Sequence, residues 1–221
     1  MNGGGGSATI PSGYTSVNVT VGSSHYNQKS NVVINGTSSS DFITNYASNV
    51  IINGNTGNDD ITSWDKNYNS DNTALKNVTL NGGAGNDIIY SFTDQSSING
   101  GDGNDEIYGS ADKVTINGGK GNDTISTLID NVLLYANGDG DDVITRIWDD
   151  TKIKITSGSY STLTSGDDFI IKVSNGKMTF KGYASWADIM LQRIMRSVGS
   201  LKVMTTSSSP TSVQFSRMII S

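Results

Sequence analysis

The 221-residue chain has no cysteine, two prolines, one histidine and a single glutamate. Each scarcity excludes something. Without cysteine there are no disulfides and no thiolate metal sites. With so little proline, most residues keep the backbone N–H that a strand ladder needs. Aromatics are 8% and hydrophobic residues 34%. That is thin for a globule with one broad core but suits a narrow solenoid, in which every coil buries a few side chains. No run approaches the ~18 apolar residues that span a bilayer. The start, Met1-Asn2-Gly3-Gly4-Gly5-Gly6-Ser7, has neither a basic nor an apolar stretch, so no cleavable secretory signal is expected in it. No zinc helix of the His-Glu-x-x-His kind, no Gly-x-Ser-x-Gly elbow and no cysteine nucleophile is present. The expectation is a structural and binding module, not an enzyme.

What is abundant is glycine, at 26 residues, and aspartate, at 20 of the 21 acidic positions. Between Asp41 and Asp142 there are 16 acidic residues and four lysines, a local charge of −12 against −6 for the chain. Self-repulsion on that scale opposes compaction unless cations neutralise it. It also argues against nucleic acid as a partner.

A repeat organises both residue types. Ile34-Asn35-Gly36, Ile52-Asn53-Gly54, Leu80-Asn81-Gly82, Ile98-Asn99-Gly100 and Ile116-Asn117-Gly118 recur at separations of 18, 28, 18 and 18. The 28 reads as 18 plus a ten-residue insertion within Thr62–Lys76. A worn copy, Ala136-Asn137-Gly138, follows. The continuations also agree: Gly82-Gly83-Ala84-Gly85-Asn86-Asp87, Gly100-Gly101-Asp102-Gly103-Asn104-Asp105 and Gly118-Gly119-Lys120-Gly121-Asn122-Asp123. Gly54–Asp59 and Asn137–Asp142 are near matches. Gly36–Asp41 keeps the frame but has lost its inner glycines, and is expected to be a turn without an ion. The residue before each Asn-Gly, and the isoleucine two after each Asp (Ile61, Ile89, Ile107, Ile125, Ile144), are expected to form two stacked aliphatic columns. The recurring asparagines are expected to form an amide ladder.

These loops resemble the haemolysin-type, repeats-in-toxin calcium-binding family, whose nonapeptide is Gly-Gly-x-Gly-x-Asp-x-apolar-x. The resemblance covers roughly residues 31–145. It implies an all-β fold: a right-handed parallel β-roll of 18-residue coils, with Ca²⁺ held between successive loops. It implies ion-binding carboxylates at Asp59, Asp87, Asp105, Asp123 and Asp142, and ion-binding carbonyls at Gly83, Gly85, Gly101, Gly103, Gly119 and Gly121. It also implies an extracellular setting, secreted or on a bacterial surface. Only one half of each coil carries the glycines, so calcium is expected along one edge. Tight loops and short carboxylates suit Ca²⁺, which takes six to eight oxygens. Ordinary turn chemistry without metal is the plainer reading, but turns tolerate Ser or Asn where this chain keeps Asp.

The flanks divide the chain further. Residues 1–30 read as a flexible lead and an irregular first coil, with a strand at Val17–Val21 and His25 on the surface. Residues 31–145 form the roll and 146–182 a β-rich cap, with an Asn-Gly hairpin at Ser174–Lys177. Residues 183–221 read as a tail with a helix near 186–198, capped through Ser185 and Asp188. That tail could serve as an uncleaved secretion signal. Beyond calcium, the partners considered are a cell-surface or glycan ligand, with Trp64, Tyr68, Trp148 and Trp186 as the aromatic candidates. An ice-binding roll would call for a threonine column, yet the variable loop position holds Thr56, Ala84, Asp102, Lys120 and Asp139. An accessory module of a secreted enzyme is the remaining alternative.

Overall fold

A computed structural model describes residues 10–20, 24–65, 75–128, 130–148 and 150–195. The first coils contain β1 (Thr15–Asn18), β2 (Ser24–Asn27), β3 (Val32–Asn35), β4 (Phe42–Asn45), β5 (Val50–Thr56) and β6 (Asp60–Ser63). The central coils contain β7 (Val78–Ala84), β8 (Ile88–Ser91), β9 (Ser97–Asp102), β10 (Glu106–Gly109), β11 (Thr115–Lys120) and β12 (Thr124–Thr127). After them come β13 (Val132–Tyr135), β14 (Asp141–Arg146), β15 (Lys152–Ile155), β16 (Tyr160–Ser165), β17 (Asp168–Val173) and β18 (Gly176–Phe180). A 3₁₀ turn (Ala184–Trp186), helix α1 (Ala187–Arg193) and β19 (Ile194–Met195) end the described chain. No described helix is long and apolar enough to cross a membrane.

Odd-numbered strands from β1 to β15, followed by β19, make one parallel sheet. Even-numbered strands from β2 to β14 make the facing one. The molecule is a parallel β-solenoid, each coil giving one strand to each sheet. The register explains why the sequence repeat is strict. Ile52 pairs with Leu80 and Leu80 with Ile98, while Ile61 pairs with Ile89 and Ile89 with Ile107. A one-residue slip would turn every such side chain out of the core. Both columns (Ile34, Ile52, Leu80, Ile98, Ile116 and Ile61, Ile89, Ile107, Ile125, Ile144) are buried, none more than 1% exposed. The amide ladder lies outside one sheet: Asn53 donates to Asn35 Oδ1, Asn81 to Asn53 and Asn117 to Asn99, each at 2.9 Å.

The insertion falls between Ser63 and Val78. Its described ends are joined, since Leu75 N–H donates to Asp65 Oδ2 at 2.9 Å. His25, expected on the surface, is half-buried in β2, where it pairs with Ile43.

At the far end, β16, β17 and β18 form an antiparallel meander whose last strand stacks on β14. The hairpin before β18 differs from the sequence expectation. Its turn residues are Ser174 and Asn175, and Gly176 already pairs with Val173. Gly176 is needed in the strand because a Cβ there would overlap the Gly140 carbonyl and the Tyr135 hydroxyl. Helix α1 is also shorter than expected. No side chain caps it, and Ile194 turns extended (φ −72°, ψ 104°) to pair with Ile153 of β15. Burial of Met190 and Ile194 against the end of the solenoid outweighs continuation of the helix. The expectations for residues 196–221, for Val21 and for Tyr68 lie outside the described residues.

Candidate metal centre

Successive loops stack along one edge, and their six residues have fixed tasks. The second and fourth positions need a left-handed backbone: φ is 124° at Gly101 and 139° at Gly103, with similar values at Gly83, Gly85, Gly119 and Gly121. L residues avoid this region. Space forbids a side chain too, because a Cβ at Gly101 or Gly103 would overlap the carbonyl oxygen of Gly83 or Gly85 from the preceding loop. The carbonyls of the second and fourth positions therefore face the next loop across the inter-coil gap.

The sixth position is the aspartate. Asp59, Asp87, Asp105, Asp123 and Asp142 are buried, each no more than 2% exposed. One oxygen is accounted for in every case: Oδ1 of Asp105 accepts the N–H of Asp87 at 2.8 Å, and Oδ1 of Asp123 accepts that of Asp105 at 2.8 Å. Asp87 serves Asp59 and Asp142 serves Asp123 in the same way. The other oxygen is different. Oδ2 of Asp59, Asp87, Asp105 and Asp123 is buried with no hydrogen-bond partner. An orphaned buried carboxylate oxygen is strongly unfavourable. Each of these Oδ2 atoms lies over the first glycine of its own loop (Gly54, Gly82, Gly100, Gly118), where a Cβ would overlap it. At Gly54, Gly82 and Gly100 that Cβ would also overlap the first-glycine carbonyl of the next loop. Two acceptors, a carboxylate and a carbonyl, thus converge over one Cα.

Burial pushes these carboxyls up. Asp59 and Asp123 rise to about 6, Asp105 to about 7 and Asp142 to about 8, with desolvation the largest cause. Neighbouring aspartates add to it at all four, while the backbone N–H donors oppose it. Asp87 is raised for the same leading reason.

Asp41 shows the contrast. Its Oδ2 accepts the N–H of Thr37 at 2.6 Å and the Thr37 hydroxyl at 3.0 Å. Thr37 stands where the other loops have Gly or a left-handed Asn55 (φ 77°), and its side chain and N–H satisfy the carboxylate. At the other end, Met178 pairs with Asp142 and takes the next place in the aspartate column. The Gly140 carbonyl is met by the Tyr135 hydroxyl and by Lys177 N–H. Position three is variable and, at Thr56, Ala84, Asp102 and Lys120, exposed; Asp102 pairs with Lys120 of the next loop at 3.0 Å.

The opposite edge is built otherwise. One left-handed residue turns each coil (Asn49, Asn77, Gln95, Lys113, with φ 54–59°). Buried Asn, Ser and Thr side chains satisfy the turn: Asn45 donates to the Ala47 carbonyl at 2.8 Å, and Ser96 to that of Thr93 at 2.7 Å.

Two features went unforeseen in the sequence. The first glycine of each loop is part of the carboxylate cradle, a role its recurrence hinted at. The fifth-position asparagines link loops too, as Asn86 Oδ1 accepts Asn104 N–H and Asn104 Oδ1 accepts Asn122 N–H.

Among the described residues no three carboxylate, imidazole or thiolate side chains cluster to hold a metal. Any cation site here must take one carboxylate per loop and complete its shell with carbonyls. That is oxygen-only chemistry suited to a hard divalent cation. The family model for RTX calcium-binding nonapeptide repeats matches residues 75–91 and 97–134, in four copies. The central coils are RTX calcium-binding repeats. The matched RTX segments contain the loops ending at Asp87, Asp105 and Asp123; those ending at Asp59 and Asp142 lie outside them. RTX repeats bind Ca²⁺, and the unpartnered carboxylate oxygens fit such an ion. Among solved structures, the extracellular lipase LipA from Serratia marcescens is similar at 14% identity and a TM-score of 0.39. The likeness covers 75% of this chain and 40% of the lipase. No curated protein matches the chain.

Proposed function

We propose that this protein is an extracellular, calcium-stabilised scaffold of a secreted or surface protein. Asp59, Asp87, Asp105, Asp123 and Asp142 would supply the carboxylates, and Gly83, Gly85, Gly101, Gly103, Gly119 and Gly121 the carbonyls. Calcium supplies positive charge that offsets the burial of these groups. The chain's own part is to hold the oxygens in place through the Asp Oδ1 ladder and the left-handed glycines. The observation that carries the reading is the run of four consecutive loops whose Oδ2 is buried without a donor. Ions belong in the gaps 59/87, 87/105 and 105/123, and the 123/142 gap is the fourth candidate. Isothermal titration of chelator-treated protein should give three or four calcium ions per chain; a count below two contradicts the assignment.

A second reading, glycan binding, is supported by the outer face of the even-numbered sheet. Tyr90 and Tyr108 stack at 4.6 Å there, and Trp64 meets Phe92 edge-on at 4.5 Å. Aromatic faces of this kind suit sugar rings, and Glu106, bonded by the Tyr108 hydroxyl, adds an acceptor. Binding to a panel of neutral polysaccharides that survives Trp64→Ala with Tyr108→Ala would end this reading.

A further inference from the structure

The chain holds eight Asn-Gly dipeptides. Seven lie among the described residues, and their surroundings differ in a way that bears on their chemical lifetime. We infer that Asn137 is a site of spontaneous, fold-directed deamidation, and that the solenoid protects the five ladder asparagines from the same reaction.

The reaction needs three things. The backbone nitrogen of the following residue must be free to reach the asparagine Cγ. The carboxamide must be free to lose ammonia. Stabilisation of charge on Oδ1 speeds the attack. A following glycine helps because no Cβ shields its nitrogen.

The ladder residues fail these conditions. Asn35, Asn53, Asn81, Asn99 and Asn117 lie in strands. Their carboxamides are tied to one another along the stack, as between Asn53 and Asn35. The following nitrogens belong to the coil-to-coil pairing, as when Gly36 N–H donates to the Asn53 carbonyl at 2.7 Å. Asn175 is also disfavoured, since Gly176 is already paired in the hairpin and pressed against the Gly140 carbonyl.

Asn137 meets them. It is exposed in a turn, and a Cβ placed on Gly138 (φ 96°) would meet nothing within 4 Å beyond its chain neighbours. Its own N–H is anchored to Ser157 Oγ at 3.0 Å, which fixes the residue. The N–H of Asn175 donates to Asn137 Oδ1 at 3.0 Å, on the oxygen where negative charge develops. The cap hairpin therefore offers a one-donor oxyanion site to this carboxamide.

The steps balance without any further reagent than water. Gly138 nitrogen loses its proton and bonds to Asn137 Cγ. The Cγ–Nδ2 bond breaks and ammonia leaves, closing a succinimide. Water then opens the ring at either carbonyl, giving aspartate or isoaspartate and one new negative charge. Asn137 is the first residue of the last loop, beside Asp139, Asp141 and Asp142. The isoaspartate product also routes the backbone through an extra atom, and so alters the loop bounding the 123/142 gap. This consequence, and the chelator arm below, rest on the calcium reading proposed above.

The test is peptide mapping by mass spectrometry of the full chain, aged in mildly alkaline buffer with millimolar calcium or with chelator. In calcium, Asn137 should convert first, with the five ladder asparagines slower by about tenfold or more, as a cooperatively closed ladder requires. In chelator the ladder residues should rise to within a few-fold of Asn137. If Asn137 converts no faster than the ladder in calcium, or does not convert, the inference is overturned. If it leads in both conditions while the ladder stays protected in chelator, deamidation stands and calcium-dependent folding falls. Asn137→Gln should abolish the early product; persistence of that product would place the reaction elsewhere.

Discussion

Asp105 lies between two fully matching loops: its Oδ1 takes the N–H of Asp87 and its Oδ2 is left for a cation. Asp105→Asn keeps the shape but removes the charge. It should raise the calcium midpoint by roughly tenfold, because affinity in oxygen sites follows ligand charge. Asp102→Asn, three residues away and ion-paired only at an exposed surface, should change it little. Equal shifts in calcium titrations read by circular dichroism would mean that only overall charge matters. Gly100 gives a further prediction. A Cβ there overlaps both Asp105 Oδ2 and the Gly118 carbonyl, so Gly100→Ala should destabilise the calcium-bound roll by about 1–3 kcal/mol in thermal unfolding. The aspartate column was legible because the same Gly-Asn-Asp closes the loops at Asp59, Asp87, Asp105 and Asp123, the last three 18 residues apart. The first-glycine role was not, since a constant glycine does not say which neighbour excludes its side chain. Nor could composition reveal that Thr37 would satisfy Asp41.

At the scale of the loops and strands, the carboxylate ladder makes stability pH-dependent. In the metal-free fold Asp59, Asp105, Asp123 and Asp142 sit at about 6 to 8, above the unfolded value near 4. A raised folded value means the protonated form favours the fold. That contribution is full below about pH 4 and is lost as pH rises through about 6 to 8. Metal-free protein should therefore gain ordered structure on mild acidification, whereas calcium affinity should fall over the same interval because protons compete for the same oxygens. Chelated samples whose circular dichroism is flat from pH 8 to 5 would refute this (the pH limits bracket the about 6 to 8 window). The strands themselves were readable from the 18-residue frame, because buried columns tolerate no slip. The cap was less so. Where the hairpin turned depended on Gly140 and Tyr135, 36 and 41 residues from Gly176. The helix stopped early because Ile194 found a free strand edge, a tertiary effect that helical periodicity does not contain.

Over the whole molecule, the two edges divide the work. One carries glycine loops with unpartnered carboxylates; the other closes its turns with buried Asn, Ser and Thr. Crystals grown with calcium should show ions along the first edge alone, and density for ions on both edges would contradict the division. The core is only a few aliphatic columns wide, Val32, Val50 and Val78 stacking beside the two already described, and the segment from Asp41 to Asp142 bears a charge of −12. Such a chain buries too little to fold against that repulsion unaided, so folding and ion binding should be one event. The measurement that tests this most directly is far-UV circular dichroism of the full chain in chelator, then through a calcium titration. The account predicts a largely disordered spectrum without calcium and a cooperative rise in β-signal, with a midpoint of roughly 10⁻⁴–10⁻³ M. A β-rich spectrum that excess chelator leaves unchanged would contradict it.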